Sequence, residues 1–224
     1  MSYPMVHLLT AFETAQQCGV IHNLPAFLLG SLAPDSVQFR EDYHYTMKEK
    51  SHAWACGPRW GEVEDSEKWL RDIQSFYREN RSLYDRDFML GYITHLLTDW
   101  LMDVEIWQPL LTEQHSGLIP DADKRYHKEC YKTDYELFAA CPYQEKLWSA
   151  LKLGTVDAVP PVIPFELVFA LRDSILYEQF AAPRENGLDG YLFCSPERMR
   201  CFINSSVQHI TKWLQKEEQE EPER

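Results

Sequence analysis

Apolar residues recur at helical spacing along most of the chain, and strict apolar–polar alternation is almost absent. Recurrence at steps of three and four residues indicates amphipathic helices, whereas alternation would indicate strands. Gly19 is placed to cap the first helix at its C-terminus, and the second ends at Gly30. The pattern predicts an all-α fold, with helices over residues 5–18, 22–30, 64–79, 85–107, 123–138, 165–180 and 196–216.

The segments between these helices are predicted as connections. Residues 37–50 are polar and irregular, residues 112–122 have loop composition, and the proline-rich run 159–164 is a stiff link. His44 and His115 are expected to be solvated in two of these loops. His209, in the last helix, is expected to be a packed or surface residue.

The most informative segment is the apolar run 91–107, which contains no proline and no interior glycine. It places His95 and Asp99 four residues apart, on one face of a helix, and Asp103 one step further along the same ridge. Burying a carboxylate and an imidazole is costly unless something pairs them. A divalent cation would do so; a hydrogen bond between the two side chains, or to buried backbone, is the alternative.

Three further candidates lie beside apolar segments. Asp35 follows Pro34 in a tight turn, where it suits either a helix cap or a rigid metal ligand. His52 lies two residues before Trp54. His7 lies in the first turns of the first helix, where a capping or surface role is the alternative to a ligand role.

The helix predicted over 123–138 carries a polar stripe of Asp123, His127, Tyr131 and Asp134. Steps of four, four and three residues keep these side chains close to one face. Such a stripe is a poor core face, so it indicates either the wall of a cleft or a hydrated surface.

Length and composition predict one globular domain. The 224 residues suffice for a sizeable core, and 45% of them are hydrophobic. We predict a helical domain over residues 1–216, followed by an acidic, frayed tail over residues 217–224.

The formal charge of −13 argues against a nucleic acid duplex as partner, because a phosphate backbone binds a basic surface. It does not argue against a small phosphorylated substrate, because bound divalent cations would reverse the local sign of charge.

The start of the chain lacks the pattern of a signal peptide, and no apolar stretch reaches the length of a membrane span. The six cysteines are scattered without a C-x-x-C pair, which favours reduced thiols and a cytoplasmic location. Motifs for a nucleophile elbow, a P-loop or dinucleotide binding are also absent.

Taken in chain order, the candidate ligands are His7, Asp35, His52, His95 and Asp99. Imidazoles and carboxylates without thiolate suit a catalytic site for zinc, iron or manganese, with zinc as the first choice. More than four ligands suggest two ions that share a carboxylate. Such a site activates water and clamps a phosphoester.

Three sequence features resemble the zinc-dependent phospholipase C family, in particular its small intracellular bacterial branch. They are the L-G-S-x-A-P-D run ending at Asp35, the lysine-containing run ending at His52, and G-Y-x-x-H-x-x-x-D over residues 91–99. The resemblance covers roughly the first half of the chain and implies a helical bundle with metals at its centre.

The resemblance also implies roles for individual residues. Asp35, His52, His95 and Asp99 would hold one ion, and Asp99 would bridge to a second, weaker site that includes His7. Asp35 would also be the general base.

The chain departs from the family pattern at three points. The secreted enzymes use a free N-terminal Trp as a ligand, and this chain begins Met-Ser-Tyr. Where they carry a further His, this chain has Asp103, and their H-x-x-x-E helix is only partly matched by His127 with Tyr131 or Asp134. We therefore expect one or two ions, with Asp103, His127 and Asp134 as substrate-side residues or extra ligands.

Three functional hypotheses follow. The first is a metal-dependent hydrolase of a phosphodiester or phosphomonoester. The second is a helical metal-binding scaffold that lacks catalysis and binds a partner. The third is a helical protein without metal, whose core histidines are satisfied by hydrogen bonds.

Overall fold

A computed structural model describes residues 3–55, 57, 63–115, 121–182 and 188–219. These residues form one all-α body without strands, which confirms the predicted fold class. Its α-helices are α1 (Pro4–Cys18), α2 (Leu24–Gly30), α3 (Met47–Ser51), α4 (Ser66–Asn80), α5 (Arg86–Met102), α6 (Gln108–His115), α7 (Ala122–Ala139), α8 (Gln144–Lys152), α9 (Phe165–Ser174) and α10 (Pro196–Gln219). A 3₁₀ helix spans Ala33–Phe39, and π-helical turns span Asp103–Trp107 and Ile175–Gln179.

Helix α5 is the centre of the body, because 15 of its 17 residues are buried. A helix that is apolar on every side is stable only when other elements cover it on every side. Helices α1, α2, α4 and α10 supply that cover. Polar side chains in the middle of α5, such as His95 and Asp99, therefore face protein rather than solvent.

Helices α2 and α5 cross with their backbones in contact. A Cβ atom added to Gly30 would overlap the carbonyl oxygen of Phe88, and one added to Gly91 would overlap that of Phe27. The carboxylate of Asp87, at the start of α5, also accepts backbone hydrogen bonds from His22 (2.9 Å) and Asn23. These contacts fix α2 along its length against the first half of α5, and the 3₁₀ helix follows closely after α2.

Several predicted boundaries were wrong. Part of the region predicted as irregular, 37–50, lies in the 3₁₀ helix and in α3, and α6 extends through residues 112–115 of a predicted loop. Helix α8 had not been predicted. The regular α-helix of the central segment ends at Met102, and that of α9 ends at Ser174, each followed by a π-helical turn.

The last helix continues beyond the predicted end at residue 216. Helix α10 reaches Gln219, and Glu217 is buried with a carboxylate oxygen 3.4 Å from the Arg78 guanidinium. The acidic tail therefore starts as helix over residues 217–219, and residues 220–224 lie outside the described ranges.

None of the helices in the described ranges combines the length and the apolar character needed to cross a bilayer. Five cysteines are free thiols, four of them buried, and Cys56 lies outside the described residues. The cytoplasmic location stays a prediction.

The crossing of α2 and α5 predicts a specific sensitivity. Gly91→Ala should destabilise the protein by about 3 kcal/mol or more, because the new methyl group meets backbone that has no room to move. Urea unfolding followed by circular dichroism measures the change.

Gly19→Ala is the matched control. No atom lies within 4 Å of a Cβ at Gly19, whose φ is +71°, so only the left-handed conformation is penalised, by about 1 kcal/mol. Equal losses of stability in the two variants would contradict the close crossing.

Candidate metal centre

His95 and Asp99 lie on one face of α5, as predicted, and each is only 1% exposed. His52 (0% exposed) directly follows α3, and His7 (1% exposed) lies in the first half of α1. Asp35, in the 3₁₀ helix after α2, is partly exposed. The fold thus brings together five residues from four separate segments.

Backbone carbonyl groups set the proton positions on two of the imidazoles. His95 donates from Nδ1 to the Ser31 carbonyl oxygen at 2.8 Å, and His52 donates from Nδ1 to the Lys48 carbonyl oxygen at 3.0 Å. A carbonyl oxygen only accepts hydrogen bonds, so each Nδ1 carries the proton. In the neutral ring, Nε2 then carries the lone pair that a metal binds.

The two Nε2 atoms lie 3.2 Å apart. Asp99 Oδ2 lies 3.5 Å from Nε2 of His52 and 3.7 Å from Nε2 of His95. Two imidazole lone pairs and a carboxylate oxygen therefore converge in a buried space, where they repel one another unless a cation or a shared proton lies between them.

The spacing fits a bound transition metal. Ligand atoms about 2.0–2.2 Å from a tetrahedral ion lie about 3.3–3.6 Å from one another. The three separations among His52, His95 and Asp99 are 3.2, 3.5 and 3.7 Å. These three residues form one group that could hold a metal ion.

A second group consists of His7, Asp35 and His95. The His7 ring stacks on the His95 ring with centroids 3.6 Å apart, and His7 Nε2 lies 3.5 Å from Asp99 Oδ1. Asp99 thus directs one oxygen towards His52 and His95 and the other towards His7. A carboxylate placed between two groups in this way can bridge two ions.

Burial determines the protonation of the imidazoles. It lowers the pKa of His7 to about 4, and it lowers the pKa values of His52 and His95 below the ordinary value of 6.5. Asp99 responds in the opposite way. Burial would raise the pKa of its carboxyl, but the positive charge of the N-terminal amino group and, after it, the surrounding histidines outweigh burial and hold that pKa below its usual range. At neutral pH the cluster offers neutral imidazoles and an ionised carboxylate, which are the forms that bind metals.

Asp35 connects the cluster to solvent. Its Oδ1 lies 3.4 Å from His52 Nε2 and 2.6 Å from the Lys48 ammonium. The side chains of Asp35 and Lys48 are each 13% exposed. Burial would raise the pKa of Asp35, but Lys48 and His52 lower it well below its usual range.

Asp35 and Lys48 also line a cavity of about 540 Å³. Its wall includes His127 from α7 and the rings of Phe39, Tyr43 and Tyr131. A ligand in this cavity would therefore reach the cluster on the side of Asp35.

The remaining candidates lie in different places. His127 lines the cavity, and its Nδ1 lies 3.1 Å from the Tyr3 hydroxyl. The Asp134 carboxylate accepts a hydrogen bond from the Met5 backbone N–H at 2.7 Å, which ties α7 to α1. Asp103 is buried beside Gln108, 3.4 Å away, and belongs to neither ligand group. The side chains of Asp123 and His115 lie outside the described residues.

Lys48, whose carbonyl orients His52 and whose ammonium pairs with Asp35, was not among the predicted site residues. The available signal was its position four residues before His52, one helical turn away. The Ser31 carbonyl could not be predicted either, because a backbone hydrogen-bond partner is not recognisable from the type of its side chain.

Comparison of the chain with protein-family models, curated proteins and solved structures gave no match. In the part of the chain that the structure describes, the protein is all-helical and has a buried His/Asp cluster that could hold a metal ion.

The raised pKa of Asp103 can be tested in the metal-free protein, through the dependence of folding stability on pH. Burial raises its pKa to about 7, so the folded protein keeps a proton that the unfolded chain releases above about pH 4. Stability should fall as the pH rises from about 4 to about 7 and then level off. Asp103→Asn should remove that loss.

Chemical unfolding of the chelator-treated protein at pH 5 and pH 8 measures this effect. The stability of Asp103→Asn relative to the original protein should be higher at pH 8 than at pH 5. An equal difference at both pH values would contradict the raised pKa.

Proposed function

We propose that this protein is a metal-dependent hydrolase of phosphoesters, acting on a phosphodiester or a phosphomonoester. The observation that supports it best is the 3.2 Å approach of two lone-pair nitrogens beside a buried carboxylate, which a divalent cation would stabilise. The resemblance of Asp35, His52, His95 and Asp99 to the ligands of the zinc-dependent phospholipase C family gives independent support from sequence.

His52, His95 and Asp99, with Asp35, would hold one ion, and His7 would contribute to a second. Zinc is the first choice, and iron and manganese are the alternatives, because the donors are imidazole and carboxylate without thiolate. Such an ion supplies Lewis-acid chemistry, which lowers the pKa of water and offsets negative charge on a phosphoryl group.

Asp35 is the proposed general base. Its carboxylate borders the cavity, so it would lie within reach of a water molecule there and would accept a proton from it. The backbone carbonyls of Ser31 and Lys48 keep His95 and His52 in the metal-binding tautomer. The closed protein around His7, His52 and Asp99 excludes bulk water, which strengthens electrostatic effects at the reacting group.

The second candidate is a metal-binding scaffold without catalysis. The near-complete burial of His52, His95 and Asp99 favours it, because a fully closed coordination shell leaves no position for substrate. The partial exposure of Asp35 at the cavity favours the hydrolase instead. Competition by fluoride or phosphate for the metal distinguishes the two, since only an open site binds these anions.

Metal content tests the site directly. The purified protein should contain about one or two equivalents of a transition metal, and Asp99→Asn should lose most of it, because the amide retains the shape of the carboxylate without its charge. Elemental analysis by mass spectrometry measures both proteins.

Asp85→Asn is the matched control for that substitution. Asp85 caps the start of α5, about 20 Å along the helix from Asp99, and Asn caps helices equally well. Unchanged metal content in Asp99→Asn, or equal loss in both variants, would refute the assignment.

Hydrolysis tests the base. Asp35→Asn should lower the turnover of an activated phosphodiester such as bis(p-nitrophenyl) phosphate by about 100-fold or more, because the amide accepts no proton. The assay uses metal-loaded protein whose metal content is measured in parallel. A metal-loaded variant with the original turnover would exclude Asp35 as the base.

A further inference from the structure

Lys48 combines two relationships to the cluster in one residue. Its backbone carbonyl accepts the hydrogen bond that orients His52, and its ammonium lies 2.6 Å from Asp35. The first contact arises because Lys48 and His52 are one helical turn apart around α3, and the second because α3 packs against the 3₁₀ helix that carries Asp35. Any movement of α3 would therefore shift the proposed metal ligand His52 and the Lys48 ammonium together.

The ammonium is also the cationic part of the cavity wall. Lys48 is the only Lys or Arg among the described residues that line the cavity; the other lining side chains are aromatic, aliphatic, neutral polar or acidic, together with His127. An ammonium has three hydrogens to donate. The contact with Asp35 uses one of them, so the group has donors left for a ligand on the cavity side.

We propose, on the premise that the cluster holds a divalent ion as proposed above, that Lys48 is the anion-binding residue of the site. The Lys48 ammonium and the ion would flank the same oxyanion, which identifies the ligand as one with a phosphoryl-type group at the Asp35 end of the cavity. The rest of the ligand would extend along Phe39, Tyr43 and Tyr131.

The charges of the cluster support this assignment. Imidazoles bind a metal ion in their neutral form, so the charged members of the ligand groups are the carboxylates of Asp35 and Asp99. One divalent ion offsets the two carboxylates and leaves the positive charge of Lys48 as the net charge of the cluster, while Glu178 is a further acidic side chain of the cavity wall. Without that ammonium, a site with one ion would be neutral overall and would attract an anion only weakly.

A purely structural role for Lys48, neutralising buried Asp35, makes a different prediction. Removal of the ammonium would then weaken folding and metal retention, with no particular effect on anions. Under the proposed role, removal weakens anion binding, while metal affinity is kept or increases because a competing cation near Asp35 is gone. The two roles therefore predict different results for metal and for anion.

The experiment uses the full chain loaded with zinc and inorganic phosphate as the probe, followed by isothermal titration calorimetry. In Lys48→Met, the dissociation constant for phosphate should rise by about tenfold or more, because a charge-assisted hydrogen bond is lost. Zinc content should be unchanged, and competition with a chelator should show zinc affinity equal to or higher than that of the original protein. Lys48→Arg, which keeps the charge, should recover much of the phosphate affinity.

Lys50→Met is the matched control, because Lys50 is exposed two residues away on the same short helix. Phosphate affinity within twofold of the original in zinc-loaded Lys48→Met, or equal losses in Lys48→Met and Lys50→Met, would overturn the assignment of Lys48 alone. If Lys48→Met lost its zinc, the structural role would be favoured and the proposal overturned. An original protein that binds no zinc, iron or manganese would overturn the proposed function and this inference together.

Discussion

The crossing of α2 and α5 at Gly30 and Gly91 is the constraint on which the candidate site depends. Only backbones without side chains at the contact can approach so closely, and the approach brings the Ser31 carbonyl to 2.8 Å from His95 Nδ1. That hydrogen bond fixes the tautomer of His95 and aims its Nε2 inwards. The same crossing places the 3₁₀ helix, with Asp35, beside the middle of α5. A packing feature with no chemistry of its own thus sets the geometry of the polar cluster.

The cluster is costly for an apoprotein and favourable for a metalloprotein. Neutral imidazoles with facing lone pairs gain nothing from their proximity, and a buried carboxylate requires a positive partner. Lys48 stabilises one of the carboxylates by its contact with Asp35, and a bound cation would stabilise the rest of the cluster. A core evolved for stability alone could place apolar side chains at His7, His95 and Asp99, because replacing buried ionic groups with apolar ones of similar volume is often stabilising.

Much of the fold and part of the site could be predicted from the sequence. What could be predicted depends on local sequence, and what could not depends on how distant helices pack. His95 and Asp99 could be recognised because four-residue spacing on an apolar helix is a local property. Whether His7 and Asp35 lie beside His95 and Asp99 depends on the packing of α1 and α2. The sequence therefore supported His7 and Asp35 only as candidates, with capping as the alternative. The structure instead buries His7 in the cluster and places Asp35 against Lys48. Helix α8 and the 3₁₀ helix were missed because they have only nine and seven residues, and helices this short are stabilised by tertiary contacts rather than by propensity.

The measurement that tests the central claim most directly is X-ray absorption spectroscopy of the metal-loaded protein at the metal edge. The account predicts a first shell of nitrogen and oxygen at about 2.0–2.2 Å, with the outer-shell signature of at least two imidazoles. In His52→Ala, the imidazole contribution should fall by one ring. A first shell with sulfur at about 2.3 Å, or one without imidazole, would show that the metal binds elsewhere and would contradict the account.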